Sequence, residues 1–288
     1  MPTLRQVKKR IKSVISTRQI TKAMEMVAAA KLRKAQMKLL EVRPYSEKLN
    51  QILLSLSAAS SDELMHPYFE KREVKKQTLV LVTSDRGMCG SFNTNLIGRA
   101  TEWLGDRDAD RVELVLIGKK GNDYFKRRPW KIVECFDGWN GNLNYIKARQ
   151  IVDMLSRRFL NGETDEIRMI YTTFISTTKY KIVEVPYLPV ERPAVDTHRG
   201  RHVEYIFEPS AEGIFMDLMP RYALTKMVTA LAESFASEHG TRMIAMGAAT
   251  ENAGEMIDSL TLQYNKARQN AITKELLDIV GGAEALRG

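Results

Sequence analysis

Few stretches of this chain carry residue types that could do chemistry. The loop Ser84-Asp85-Arg86-Gly87-Met88-Cys89-Gly90-Ser91 combines an acid, a base, a thiol and four small residues. It lacks both G-x-G-x-x-G and G-x-x-x-x-G-K-[ST], the patterns whose backbone amides cradle phosphates. Gly118-Lys119-Lys120-Gly121 is too short for such a cradle. Both read as tight strand-to-helix turns. Of the four histidines (His66, His198, His202 and His239), only His198 and His202 stand four apart, in a Pro/Gly/Arg loop without further ligands. A zinc site needs more than two. Cys89 and Cys135 match no metal or redox spacing and imply a reducing compartment without a disulfide framework. The expectation is no catalytic residue, no cofactor and no metal.

Charge is the stronger signal. The 288 residues carry 44 basic and 35 acidic side chains, a net charge of +9, so an acidic counterpart is expected. The excess concentrates near the N-terminus. Arg5, Lys8, Lys9, Arg10, Lys12, Arg18, Lys22, Lys31, Arg33, Lys34, Lys38 and Arg43 face only Glu25 and Glu41. Nucleic-acid phosphate and an acidic protein sleeve fit this charge equally well, but the run lacks aromatic residues and any nucleic-acid motif. No secretory signal is read at the N-terminus, and no run approaches the ~20 apolar residues of a membrane helix.

The elements that must position these residues are of two kinds. From Thr3 to Ser57, apolar residues recur at Leu4, Val7, Ile11 and Val14, a coiled-coil seam. Arg18 breaks it. It resumes at Ala28, Leu32, Ala35, Leu39 and Val42, then at Leu49, Ile52 and Leu56. Pro44 should kink the helix nearby. Beyond Pro220 a second seam passes through Val228, Leu231 and Phe235, then Ala253, Ile257, Leu260, Tyr264, Ala267 and Ala271. About 60 residues of helix would span about 90 Å, too long for a globular core to bury. It needs a partner helix, and the N-terminal segment can supply it, antiparallel. Gly240, Gly247 and Gly254, seven apart, suggest a stripe where another backbone comes close, with Ala28, Ala29 and Ala30 as the matching small surface.

Between the helices the period changes. Gln77–Ser84, Val112–Ile117, Lys131–Phe136, Ile167–Ile175 and Tyr180–Val185 read as strands. Helical patterns at Asn93–Leu104, Gly121–Arg127 and Asn144–Leu160 separate the first four. That alternation predicts a largely parallel α/β sheet, and the last two strands a hairpin at its edge. Pro186 to Glu208 reads as an irregular connection, with Ser210 as N-cap of the returning helix. The expected class is α/β: a long antiparallel coiled coil of N- and C-terminal helices (1–58 and 210–288) with an inserted Rossmann-like α/β domain (77–189).

Specific residues then carry a resemblance. Ile20 to Lys34 (ITKAMEMVAAAKLRK), Thr83 to Asn93 (TSDRGMCGSFN), Tyr205 to Ser210 (YIFEPS) and Ala249 to Gly282 resemble, in order, segments of the F-type ATP synthase gamma subunit family. The I-T-x-E-x-x-D-x-x-x-G-A spacing is met by Ile272, Thr273, Glu275, Asp278, Gly282 and Ala283. The resemblance implies a non-catalytic central rotary stalk inside three alpha and three beta subunits, beside epsilon, on a membrane ring of c subunits. It places the chain peripherally, at the cytoplasmic face of a bacterial inner membrane. It excludes nucleic acid as partner and direct membrane insertion. It implies rotor–stator contacts at Lys22, Met24, Lys31, Lys34, Asp85, Arg86, Arg268, Gln269 and Thr273, and membrane-ring contacts at Tyr205 and Glu208. The cysteine-bearing insert of chloroplast members is not visible, so thiol control of that kind is not expected.

Overall fold

A computed structural model describes residues 3–59, 66–105, 107–190 and 211–285. The elements are α1 (Leu4–Ala59), β1 (Gln77–Val82), α2 (Phe92–Leu104), β2 (Val112–Ile117), α3 (Lys119–Phe125), β3 (Lys131–Phe136), α4 (Tyr145–Leu160), β4 (Glu166–Ser176), β5 (Lys179–Leu188) and α5 (Ala211–Ala285). A 3-10 turn at Pro67–Phe69, capped by the His66 side chain, has no counterpart in the sequence reading. The fold is mixed α/β, with the sheet inserted between two long helices. The chain divides into two compact units, Met1–Val27 with Met243–Gly288, and Ala28–Arg242.

In the first unit, the start of α1 lies antiparallel to the second half of α5. Thr250 donates its hydroxyl to Thr21 at 2.8 Å, Glu25 lies beside Gly247, and Arg18 lies beside Gly254. Val7, Ala253 and Leu260 are buried in the seam, and Leu4, Ile11 and Val14 are half-buried. The break at Arg18 now has a cause. From Arg18 to Glu25 the seam is polar, and the glycines make room for it. An added Cβ at Gly254 would meet the Arg18 guanidinium at 3.8 Å, and at Gly247 the Glu25 carboxyl carbon at 3.7 Å. The expected close backbone approach is therefore absent at these two positions, where side chains fill the space.

In the second unit, a five-stranded sheet of order β3-β2-β1-β4-β5 is parallel except for β5. Parallel strands are covered on both faces, so β1 and β2 read as continuous apolar runs. Helix α2 covers one face through Phe92, Leu96 and Ala100. On the other face, α4 and α5 contribute Ile151, Leu155, Met227, Leu231 and Phe235 to a second cluster, which Val42 and Leu53 of α1 also enter. β5 extends through Pro186, where the sequence reading had ended it. Proline cannot donate to a ladder, but β5 is an edge strand with one partner, so the missing amide is tolerated.

Both long helices also run through a proline, Pro44 in α1 and Pro220 in α5. Each frees the carbonyl four residues earlier. Those residues are Leu40 and Met216, 67% and 43% exposed, so water can take over the lost bond.

Of Gly240, Gly247 and Gly254, only Gly240 meets backbone: an added Cβ would stand 2.9 Å from the Thr177 carbonyl oxygen of the β4–β5 turn. Gly240→Ala is therefore expected to destabilise by about 1 kcal/mol, overpacking outweighing the helix-propensity gain. Gly247→Ala, with ordinary contacts only, should stabilise by up to about 1 kcal/mol. Thermal melts of the two variants should shift in opposite directions.

Candidate functional site

The loops after β1, β2 and β3 lie along the carboxyl edge of the sheet, the edge on which open α/β folds bind ligands, beside the switch point between β1 and β4. Here the chain fills that position itself. Asp85, after β1, accepts from the backbone amides of Lys119 and Gly138 at 3.2 Å each through Oδ1, and of Asn140 at 2.7 Å through Oδ2. Gly138 and Asn140 adopt positive φ (73° and 50°), which bends the loop after β3. One carboxylate thus joins the ends of three strands.

Helix α5 meets the same loops with Glu238, His239 and Arg242. Arg242 donates to the Gly87 carbonyl (3.3 Å), the Arg86 carbonyl (3.0 Å) and the buried Glu238 carboxylate (2.8 Å). The polarity is opposite to that of a phosphate cradle, whose amides face an anion. Carbonyls of the β1 loop face a guanidinium instead. His239 lies 3.0 Å from the Gly141 carbonyl through Nε2 and 3.3 Å from Arg242 through Nδ1. Arginine can only donate and a carbonyl only accept, so the neutral ring carries its proton on Nε2. Burial is the chief reason its pKa falls to about 4; the Gly141 bond opposes this, while Arg242 and Lys31 add to it. Burial raises the Glu238 pKa against the pull of Arg242.

Neither thiol is poised for reaction. Cys89 is buried beside Ser84 and Asn93, and burial raises its pKa. Cys135 is pushed up to about 11, chiefly by desolvation. Among the described residues no three His, Cys, Asp or Glu side chains group as metal ligands. No helix there is long and apolar enough to cross a membrane.

The residues expected at rotor–stator contacts divide by what their side chains do. In the first unit, Lys22 is exposed and pairs with Glu25 at 3.1 Å, and Met24 is half-buried. Arg268 and Gln269 are exposed on α5; exposed Thr273 donates back to the Gln269 carbonyl at 3.0 Å. In the second unit, Lys34 and Arg86 are exposed. Two of the expected contacts bond to backbone within the chain: Lys31 donates to the Asn140 carbonyl at 3.2 Å, and Asp85 accepts from three amides. Tyr205 and Glu208, like His198, His202 and Ser210, lie outside the described residues. The sequence reading missed the Glu238–His239–Arg242 group. The i,i+4 spacing of Glu238 and Arg242 was the available signal.

The far end of α5 is unlike the rest. Facing residue numbers in the antiparallel pair sum to 271 or 272. That register sets Leu4, the first residue of α1, opposite about residue 268. Beyond it α5 continues to Ala285 with Ile272, Leu276, Leu277, Ile279 and Val280 each at least 50% exposed.

Comparison with known proteins accounts for the whole chain. The family model described as ATP synthase matches residues 3–286. The ATP synthase gamma chain of Anaeromyxobacter sp. (strain Fw109-5) is 48% identical, covering 100% of both chains. That of Pelotomaculum thermopropionicum is 44% identical, over 99% of this chain and 100% of its own. A chain from the central stalk and c-ring structure of the Tetrahymena thermophila mitochondrial ATP synthase is 25% identical. It superposes with a TM-score of 0.59 over 80% of this chain and 99% of its own. A chain from the Euglena gracilis mitochondrial ATP synthase shares the fold, with a TM-score of 0.70 at 17% identity over 98% of this chain and 94% of its own. With a family model spanning nearly every residue and full-length relatives near half identity, the chain belongs to the ATP synthase gamma chain family.

Proposed function

We propose that this chain is the central rotary stalk of an F-type ATP synthase, coupling proton flow through a membrane ring of c subunits to ATP synthesis or hydrolysis at the alpha/beta catalytic sites. Its partners are three alpha and three beta subunits, epsilon and the c ring. It sits peripherally, at the cytoplasmic face of a bacterial inner membrane, and has no catalytic site of its own. The sheet's ligand position, filled by Asp85 and Arg242, supports that last point.

One observation carries the reading. The apolar end of α5, from Ile272 to Val280, lies exposed and faces no antiparallel partner among the described residues. A bare apolar helix end marks a contact with another protein, and a sleeve of surrounding subunits supplies one without a membrane. Along α1, exposed bases around Lys22 favour acidic stator loops. Exposed ion pairs are worth only ~0–1 kcal/mol each, so they guide a turning shaft without locking it. We assign the stator contacts to Lys22, Met24, Lys34, Arg86, Arg268, Gln269 and Thr273, and the ring contacts to Tyr205 and Glu208. Residues 1–58 and 210–288 form the shaft and 77–189 the domain beside the ring.

Reconstitution tests this. Mixed with matching alpha and beta subunits, the chain should assemble and support rotation-coupled ATP hydrolysis, while the isolated chain hydrolyses none. Leu276→Asp with Leu277→Asp should lower the stability of that assembly at least tenfold without unfolding the chain. Robust ATP hydrolysis by the chain alone, or failure to associate with the two subunits, would refute the proposal.

A further inference from the structure

The Asp85 carboxylate bridges the loops that follow three strands. It receives three backbone amides from two loops, those of Lys119, Gly138 and Asn140. Charge-assisted bonds of this kind are about twice as strong as neutral ones. The loop it holds is the one the helices grip. Lys31 of α1 donates to the Asn140 carbonyl, and His239 of α5 to the Gly141 carbonyl. Gly141 has φ +70°, and an added Cβ would collide with the His239 ring, so no side chain fits between loop and helix at this point. Arg242 of α5 meanwhile takes the carbonyls of Arg86 and Gly87, the two residues that follow Asp85. A closed circuit results: Asp85 to loop 138–141, that loop to α1 and α5, and α5 back to the Asp85 loop.

We infer that Asp85 is a positioning residue: its carboxylate clasps the strand-end loops in the shape that α1 and α5 grip, and the clasp stiffens the joint through which torque passes from the α/β domain to the shaft. The inference rests on the rotor reading above. Elsewhere the domain is attached through an apolar core, exemplified by Trp139 on Phe235 with ring centroids 5.7 Å apart, and through separate single bonds such as Tyr187 to the Ala223 carbonyl (3.0 Å) and Arg43 to the Phe174 carbonyl (3.2 Å). Apolar packing is non-directional and resists separation better than twist. Directional bonds fixed by one carboxylate resist twist.

Asp85→Asn tests the idea. The side chain keeps its size but loses its charge and turns one acceptor oxygen into a donor, which must face an amide. In the complex reconstituted with alpha, beta, epsilon and a c ring in vesicles, ATP hydrolysis without a proton gradient should stay within twofold of the parent. ATP-driven proton pumping should fall at least threefold, because only loaded rotation strains the joint. The Gly138 and Asn140 amides should exchange with deuterium at least tenfold faster. Should Asp85→Asn not assemble, Lys31→Gln withdraws the α1 side of the same grip and should show the same split in smaller measure. Pumping unchanged, or falling only in proportion to hydrolysis, overturns the clasp. A parent complex that does not couple hydrolysis to pumping overturns the rotor reading instead.

Discussion

Gly118→Ala destabilises the second unit by about 4 kcal/mol, a large share of the 5–15 kcal/mol by which a domain is ordinarily stable. Gly118 joins β2 to α3 with φ +94° and ψ 143°, a conformation close to glycine-only territory. Its amide donates to the Phe136 carbonyl of the neighbouring strand at 2.9 Å, and its carbonyl accepts from the Thr83 hydroxyl at 3.3 Å. Backbone is therefore held on both sides. An added Cβ would stand 2.6 Å from the Thr83 carbonyl carbon, and closer still to its oxygen. Thr83 cannot retreat, because its own amide donates to the Ile117 carbonyl at 2.7 Å. Strain and collision add. Urea denaturation should show a midpoint far below that of the parent. Gly98→Ala, on an exposed turn of α2 with nothing within 4 Å of the added Cβ, should instead stabilise by up to about 1 kcal/mol. Equal behaviour of the two variants would show that the Gly118 turn can relax.

Acidification should cost a comparable amount through His239. In the fold its ring is held neutral, with a pKa near 4 against an ordinary value of 6.5, chiefly because it is buried. A group whose folded pKa is depressed contributes stability that is fully present above 6.5. That contribution is lost as pH falls toward 4, where the unfolded ring is already protonated. A tenfold change in proton affinity is worth about 1.4 kcal/mol, so about 3 kcal/mol disappears across this window. His66, also lowered by burial, pulls the same way. The raised carboxyls of Glu233 and Glu238 pull the other way, since acid relieves their buried charge. The His239 contribution is therefore read as a difference. His239→Gln keeps a donor toward Gly141 and does not titrate. Its stability between pH 7 and 4 should fall by about 3 kcal/mol less than that of the parent, measured by urea midpoints at each pH. Parallel pH curves would remove His239 as the titrating group.

The amino-acid order alone determined every repeating element. Val112–Ile117 and Lys131–Phe136 form strands at the residues expected, and the apolar seams of α1 from Leu4 to Ile52 and of α5 lie buried or half-buried where the three–four spacing put them, Leu56 having no described side chain. Period and propensity are local properties, so a linear reading reaches them. Helix interiors were harder: α5 starts at Ala211, in keeping with the expected 210–288 helix, and runs on through Pro220. Whether a proline ends a helix depends on water reaching one carbonyl, and exposure belongs to the packed chain. The polar side chains divided only in three dimensions. Lys31 and Lys34 are alike in type, and Asp85 and Arg86 are adjacent charged residues of one loop, yet one of each pair bonds to a distant backbone group and the other is exposed. Their partners, the Asn140 carbonyl and the amides of Lys119, Gly138 and Asn140, lie 34 to 109 residues away. A hydrogen bond over such a separation depends on strand order and on loops bent at Gly138, Asn140 and Gly141. Only the closed fold brings those groups within 3 Å or so of each other.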